Sequence, residues 1–240
     1  MAILCRDYDL LFTHIPKTGG CFLEAALVEH LNGVKVGDRH MSFRRLQLEN
    51  PPTHRVFVVR EPLDWYRSYW AYARSQVHHR AAWPIWDRGD GSHPTHMLDK
   101  TCGNPHFEKF LTNALREFPE GFVRSMYCSF SNGCNIALRT SNLISDLELL
   151  FRHVGFKYPE KVRGRERVNV TASRWTELAV APDELVQQAR KIDNLEGLRF
   201  PYITERLCPD PVQLGRGGHS HAQWSTSADP AAGEHIGCAR

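Results

Sequence analysis

Phe12–Thr13–His14–Ile15–Pro16–Lys17–Thr18–Gly19–Gly20 decides the reading of this chain, because an apolar run breaks there into a lysine and two glycines and then resumes with a different period. Before the break, Leu10–His14 is short and apolar, the pattern of a buried strand. After it, Leu23, Ala26, Leu27 and Leu31 fall on one face at helical spacing. A strand, a tight loop and a helix in that order aim backbone N–H groups and the positive end of the helix dipole at one point, which suits an anion. Lys17 adds a full charge, and the glycines let the backbone approach closely. Lys-Thr-Gly-Gly is also an ordinary surface turn, so the loop alone says only that an anion could sit at a helix start.

Working outward, Arg55–Val59 is rich in β-branched residues and reads as a second strand, and Glu61–Pro62 opens a helix to about Arg74 with proline in its first turn. Asn135–Arg139 reads as another short strand. Thr140 to Val154 is an amphipathic helix with Leu143, Leu147, Leu150, Phe151 and Val154 on one side, stopped at Gly155. Further helices are expected at Phe107–Glu117 and Asp183–Ile192. The alternation predicts an α/β chain with a P-loop-like three-layer fold, a central parallel sheet flanked by helices. Residues 76–104, with Trp83, Trp86 and several glycines and histidines, read as a long loop or lid. Residues 1–208 are expected to form one domain, and 209–240, rich in Gly, Ser, His and Ala, a disordered tail.

The 240 residues are 42% hydrophobic, enough for one good core, and the formal charge of +3 is too mild to argue for nucleic acid or a membrane surface. No run approaches the roughly 20 apolar residues of a membrane span, and Arg6, Asp7 and Asp9 interrupt the stretch a signal peptide would need. A cytoplasmic chain with no membrane span and no nucleic-acid partner is the expectation. Seven cysteines without a CxxC pair make neither a disulfide framework nor a zinc signature, so reduced thiols and no metal are expected; Cys128 and Cys134 are the pair closest in sequence.

The magnesium-binding loop GxxxxGK[ST] of nucleotide hydrolases is absent, because Lys17 precedes the glycines and no Ser or Thr follows a Gly-Lys pair. Phe12–Gly20 instead resembles the 5′-phosphosulfate-binding loop of sulfotransferases that use 3′-phosphoadenosine-5′-phosphosulfate (PAPS), particularly the branch with heparan sulfate 2-O-sulfotransferases and related bacterial enzymes. That resemblance implies an Arg at the end of a later strand and a Ser eight residues on, together holding the 3′-phosphate. Arg60, after Val58–Val59, and Ser68 stand at that spacing. Arginine can grip a phosphate with two hydrogen bonds. Their bland alternatives stay open here: an ion pair of Arg60 with Glu61 or Asp64, and a solvent-facing Ser68. The likeness runs loosely through Ile136–Arg139 and the following helix, covering most of residues 10–205. It departs at Cys21, where the family usually has Thr or Ser, and at Ser141, often Glu.

By resemblance, Lys17 would stabilise the bridging oxygen of PAPS while Thr18, Gly19, Gly20 and Cys21 line its 5′ side. Arg163, Arg165 and Arg167 would bring a basic loop over the nucleotide, or form a plain solvated loop. Sulfuryl transfer also needs a base for the acceptor hydroxyl. His40, in Gly37–Asp38–Arg39–His40–Met41–Ser42, is the leading candidate, with His14, His54, His96 and His106 behind it. The phosphate leaving group needs no proton donor, and no metal is required. Trp65, Tyr66, Tyr69, Trp70 and Tyr72 crowd one helix and read as core. The acceptor would be a carbohydrate or small-molecule hydroxyl, and nothing in the sequence selects a sugar over a small alcohol, a phenol, a lipid headgroup or a peptide tyrosine. Two rival readings are a P-loop-like nucleotide kinase and a catalytically silent nucleotide-binding protein.

Overall fold

Side chains that alternate along a strand can feed two cores at once, and the central strand here does so. The computed structural model describes residues 2–38, 40–75, 98–163 and 173–207. Its strands are β1 (Ala2–Cys5), β2 (Leu10–Thr13), β3 (Val34–Val36), β4 (His54–Val59) and β5 (Ile136–Arg139). Its helices are α1 (Gly20–His30), α2 (Phe43–Leu46), α3 (Pro62–Ser75), α4 (Phe107–Glu117), α5 (Phe122–Ser131), α6 (Leu143–His153), α7 (Glu160–Arg163), α8 (Ser173–Glu177), α9 (Asp183–Ile192) and α10 (Ile203–Leu207). Val56 and Val58 of β4 join a core with Leu23 and Leu27 of α1 and Leu147 and Leu150 of α6. Phe57 and Val59 join a second core on the opposite face, with Trp65 and Tyr69 of α3, Phe110 of α4 and Tyr127 of α5. Helices therefore cover both faces of the sheet.

The strand order is β3-β1-β2-β4-β5. The pairs β2–β4 and β4–β5 are parallel, but β1 runs antiparallel to both β2 and β3. The sheet is thus mixed, a correction to the parallel sheet expected from the sequence. The antiparallel edge arises because β1 and β2 form a hairpin, with Ala2 opposite Thr13 and Cys5 opposite Leu10. Arg6–Tyr8 supply its 3-10 turn, and Asp9 closes it at φ 49°. The charges at Arg6, Asp7 and Asp9 belong to that turn.

The anticipated elements fall at or within a residue or two of their expected places, including α1, β4, α3, α4, β5 and α9. Thr140–Asn142 form a 3-10 turn before α6, and Gly155, at φ 78°, follows its end. Of the expected lid, residues 76–97 lie outside the described residues; Leu98–Cys102 form a π turn with Leu98 and Cys102 buried. The proposed tail, 209–240, also lies outside them. No described helix is long and apolar enough to cross a membrane. Cys128 and Cys134 are both free thiols.

Candidate functional site

The helix after β2, α1, packs on one face of the sheet, whereas the helix after β4, α3, packs on the other. A crevice opens where successive connections leave a parallel sheet in opposite directions, outside the carboxyl ends of the strands. The loop 14–19 after β2 and Arg60 after β4 sit at that point.

The loop is held by its carbonyl groups. Trp65 Nε1 donates to the Pro16 carbonyl at 2.8 Å, Arg60 Nη1 to that of Lys17 at 3.1 Å, and the Thr140 hydroxyl to that of Thr18 at 2.8 Å. In a trans peptide the next N–H points opposite to the carbonyl, so the N–H groups of Lys17, Thr18 and Gly19 face away from these three donors. Thr18 Oγ1 donates to the Ile15 carbonyl at 2.9 Å and tightens the turn. Lys17 at φ 64° and Gly19 at φ 90° bend the chain into the left-handed region, which only glycine enters freely. At Gly20 and Cys21 the N–H groups open α1 with no acceptor further back in the helix.

Gly20 has a different reason to be glycine from the one its motif suggests. A Cβ there would stand 2.1 Å from His14 Cδ2 and 2.4 Å from Nε2, so the missing side chain makes room for a histidine ring. That ring is 4% exposed, and its Nδ1 lies 2.7 Å from Glu24 Oε1. Burial works to raise the Glu24 pKa, but the hydrogen bond and charge from His14 outweigh it and hold the carboxyl below its ordinary value.

Lys17 Nζ lies 4.0 Å from the centroid of the Tyr72 ring, a cation–π contact. Burial, then the neighbouring Arg60 charge, pull the Lys17 pKa down to about 8. Arg60 is positioned from both sides of its own backbone: the Tyr127 hydroxyl accepts its N–H at 2.7 Å and donates to its carbonyl at 3.0 Å. Glu61 and Asp64, the bland partners for Arg60, have other work. Glu61 Oε2 accepts the Asp64 N–H at 2.8 Å, capping α3 ahead of Pro62, and Asp64 lies 3.4 Å from Arg67.

Ser68 is half-buried on α3, one turn from Asp64 and one from Tyr72. Since Asp64 lines the crevice and Tyr72 covers Lys17, the helical stripe puts Ser68 between the two. The crevice holds about 550 Å³ and is lined by residues that include Arg60, Asp64, Arg139, Ser141, Arg190 and Tyr202. Lys17 and the glycines are not among its lining residues; Arg60 and Thr140 connect the loop to it.

The base candidates separate by position. His40 is 6% exposed, with Nδ1 3.0 Å from the His14 carbonyl and its ring 4.7 Å from that of His14. A carbonyl only accepts, so Nδ1 carries a proton and Nε2 is the basic nitrogen of the neutral ring. His40 stands on the His14 side of the loop and does not line the crevice. His54 begins β4 whereas the site lies past its end, about 17 Å along the strand. Its ring packs edge-on against His153 at 4.8 Å. His106 precedes α4 at its N-cap position. Arg163 ends α7, while Arg165, Arg167 and His96 lie outside the described residues.

Several site residues were not anticipated. Arg139 ends β5 as Arg60 follows β4, a repeated signal that was available in the sequence. Its guanidinium and N–H are held by Asp146, 1% exposed, with contacts of 2.8–3.1 Å. The aromatic stripe on α3 divides: Trp65, Tyr66, Tyr69 and Trp70 are buried core as expected, whereas Tyr72 is half-buried against Lys17. Trp65 serves both purposes through its indole N–H. Thr140 and Tyr127 act through single hydroxyls over separations of 122 and 67 residues, which no local pattern reports. Comparison with protein-family models, with curated proteins and with solved structures finds no match for this chain.

Proposed function

We propose that the chain binds PAPS and moves its sulfuryl group to an acceptor hydroxyl on a carbohydrate or small molecule, using a P-loop-like arrangement. The observation that supports this reading is the meeting of two cationic segments at one switch point, the Lys17–Gly20 loop after β2 and Arg60 after β4, joined by the Arg60–Lys17 hydrogen bond. A ligand with a single phosphate cluster needs one such segment; a nucleotide phosphorylated at both ends uses two.

PAPS supplies an activated sulfuryl group whose departure leaves a stable phosphate. Lys17, protonated at neutral pH with a pKa of about 8, would balance the charge that grows on the bridging oxygen. The backbone N–H groups of Thr18, Gly19, Gly20 and Cys21 would hold the 5′ side, with Cys21 contributing no hydroxyl. Arg60 and Ser68 would hold the 3′-phosphate. His40 Nε2 is assigned the acceptor proton, and Arg163, Arg165 and Arg167 remain assigned by resemblance alone. A magnesium-dependent kinase is disfavoured by the order of Lys17 and the glycines.

The test is calorimetric and thermal-shift titration with the product nucleotide, 3′-phosphoadenosine-5′-phosphate (PAP), against ATP, followed by labelled-sulfate transfer in EDTA. PAP at 100 times its Kd should stabilise the fold by about 2.7 kcal/mol. Transfer should persist without divalent metal. Stabilisation by ATP and not by PAP would overturn the assignment; PAP binding without transfer to a broad acceptor panel would reduce it to a nucleotide-binding protein.

A further inference from the structure

The end of β2 and the first turns of α1 bring together three side chains that ligate metals. A ring nitrogen of His14, Sγ of Cys21 and a carboxylate oxygen of Glu24 lie within 4.8 Å of one another. Cys21 and Glu24 are three residues apart on α1 and so share a face. His14 stands opposite them, tied to Glu24 by the 2.7 Å contact at Nδ1. The phosphosulfate reading uses only the backbone of Cys21 and gives its thiol no part.

We propose that His14, Cys21 and Glu24 bind one zinc-class divalent cation, leaving a fourth position open to water or an added ligand. Thiolate and imidazole donors favour zinc or cobalt over magnesium or calcium, which take oxygen ligands. Three protein ligands and one open position is a set that zinc adopts. With zinc–ligand bonds of about 2.0–2.3 Å, donor atoms around a tetrahedral ion sit roughly 3.3–3.6 Å apart. The widest separation must close by about 1 Å, and the 2.7 Å His14–Glu24 contact must open by roughly 0.6 Å if those two atoms both ligate, movements within the rotamer reach of Cys21 and Glu24, which are both half-buried.

His14 is already oriented. Its ring stacks on Phe12 at 6.0 Å and meets the His40 ring edge-on at 4.7 Å, while its carbonyl accepts from His40 Nδ1. Packing on two sides restricts the rotamers open to the imidazole. Binding releases the Cys21 thiol proton to solvent, so the ion meets a thiolate, a carboxylate and a neutral imidazole. The proposal rests on these three side chains and stands whether or not PAPS is the nucleotide.

Cobalt(II) titration of the full chain tests it, read by the visible bands of four-coordinate cobalt and the near-ultraviolet thiolate charge-transfer band. One equivalent should bind with both signals. Cys21→Ser should abolish the charge-transfer band, Glu24→Gln should weaken binding at least tenfold, and Cys128→Ser should change neither. In the wild-type chain, which needs no substitution to fold, zinc should slow iodoacetamide alkylation of Cys21 and not of Cys128, followed by peptide mass spectrometry. Cobalt bound without a thiolate band, a band that survives Cys21→Ser, or equal Cys21 alkylation with and without zinc would each overturn the site. PAP titration with and without zinc scores the nucleotide reading separately.

Discussion

Replacing Gly20 by alanine sets two effects of similar size against each other, and the structure decides the sign. Helix propensity favours alanine by up to about 1 kcal/mol, less at the first turn than inside a helix. Against it, the new Cβ would stand 2.1 Å from His14 Cδ2, 2.4 Å from Nε2 and 2.7 Å from Cγ, where carbon contacts settle at about 3.5–4.0 Å. The ring must retreat by more than about 1 Å, yet Glu24, Phe12 and His40 hold it on three sides. Overpacking of this kind costs roughly 1–3 kcal/mol, and loss of the His14–Glu24 bond adds about 1.5–3 kcal/mol if the ring swings away. Gly20→Ala should therefore destabilise by about 1–3 kcal/mol, a Tm decrease of roughly 3–10 °C for a chain of this size. Urea denaturation in a double-mutant cycle with His14→Ala isolates the cause: without the ring, the same substitution should be neutral or slightly stabilising, giving a coupling near 2 kcal/mol. A neutral or stabilising Gly20→Ala in the wild-type background, or an equal cost in both backgrounds, refutes the argument.

Lys17 links pH to binding and to stability with opposite slopes. Its folded pKa of about 8 lies below the ordinary 10.5, so the free site is charged below pH 8 and loses charge above it. PAP affinity should fall several-fold between pH 7 and 9.5 by calorimetry, and Lys17→Met should flatten that profile; a wild-type profile as flat as the variant's counts against the assignment. Over the window from about 8 to 10.5 the unfolded chain binds the extra proton, so this group's contribution to stability rises with pH. Tyr127→Phe removes the hydroxyl that satisfies both backbone groups of Arg60. It should cost about 1–3 kcal/mol in urea denaturation and weaken PAP binding, and a cost under about 0.5 kcal/mol would mean that Arg60 is held otherwise.

The parts of the fold that could be read from sequence are those whose signal repeats over several turns or ends at a strong break. The stripe Leu23, Ala26, Leu27, Leu31 gave α1 its buried face, and Gly155 marked the end of α6. The hairpin of β1 with β2 was obscured because four apolar residues followed by Arg6 and Asp7 are as consistent with a frayed terminus as with a strand and turn. At β3 only Val34 and Val36 flank a lysine, and the strand has just three residues. These two strands make the sheet mixed, so the misjudged topology and the missed strands have one cause. Phe122, Val123, Met126, Tyr127 and Phe130 of α5 do carry a helical period, so this helix is legible in the sequence.

The site divides along the same line between local and distant information. Arg60 was legible because a residue that directly follows a parallel strand must emerge at its carboxyl edge, and Lys17 and Gly19 because the loop that carries them leaves β2 at the same edge. By sequence His14 is a strand residue and Gly20 an open approach for phosphate, but the His14 ring fills the space a Gly20 side chain would take. A ring 4% exposed fills the place of a side chain six residues along. Contacts between the end of a strand and the first turn of the next helix depend on the loop's dihedrals, here φ 64° at Lys17 and 90° at Gly19, which a spacing rule does not contain. The glycine pair therefore has two separate duties, conformational freedom at Gly19 and clearance for His14 at Gly20. Sequence motifs that contain both glycines report the loop's shape as much as any ligand, so the proposed nucleotide reading rests more on the pairing of Lys17 with Arg60 than on the glycines.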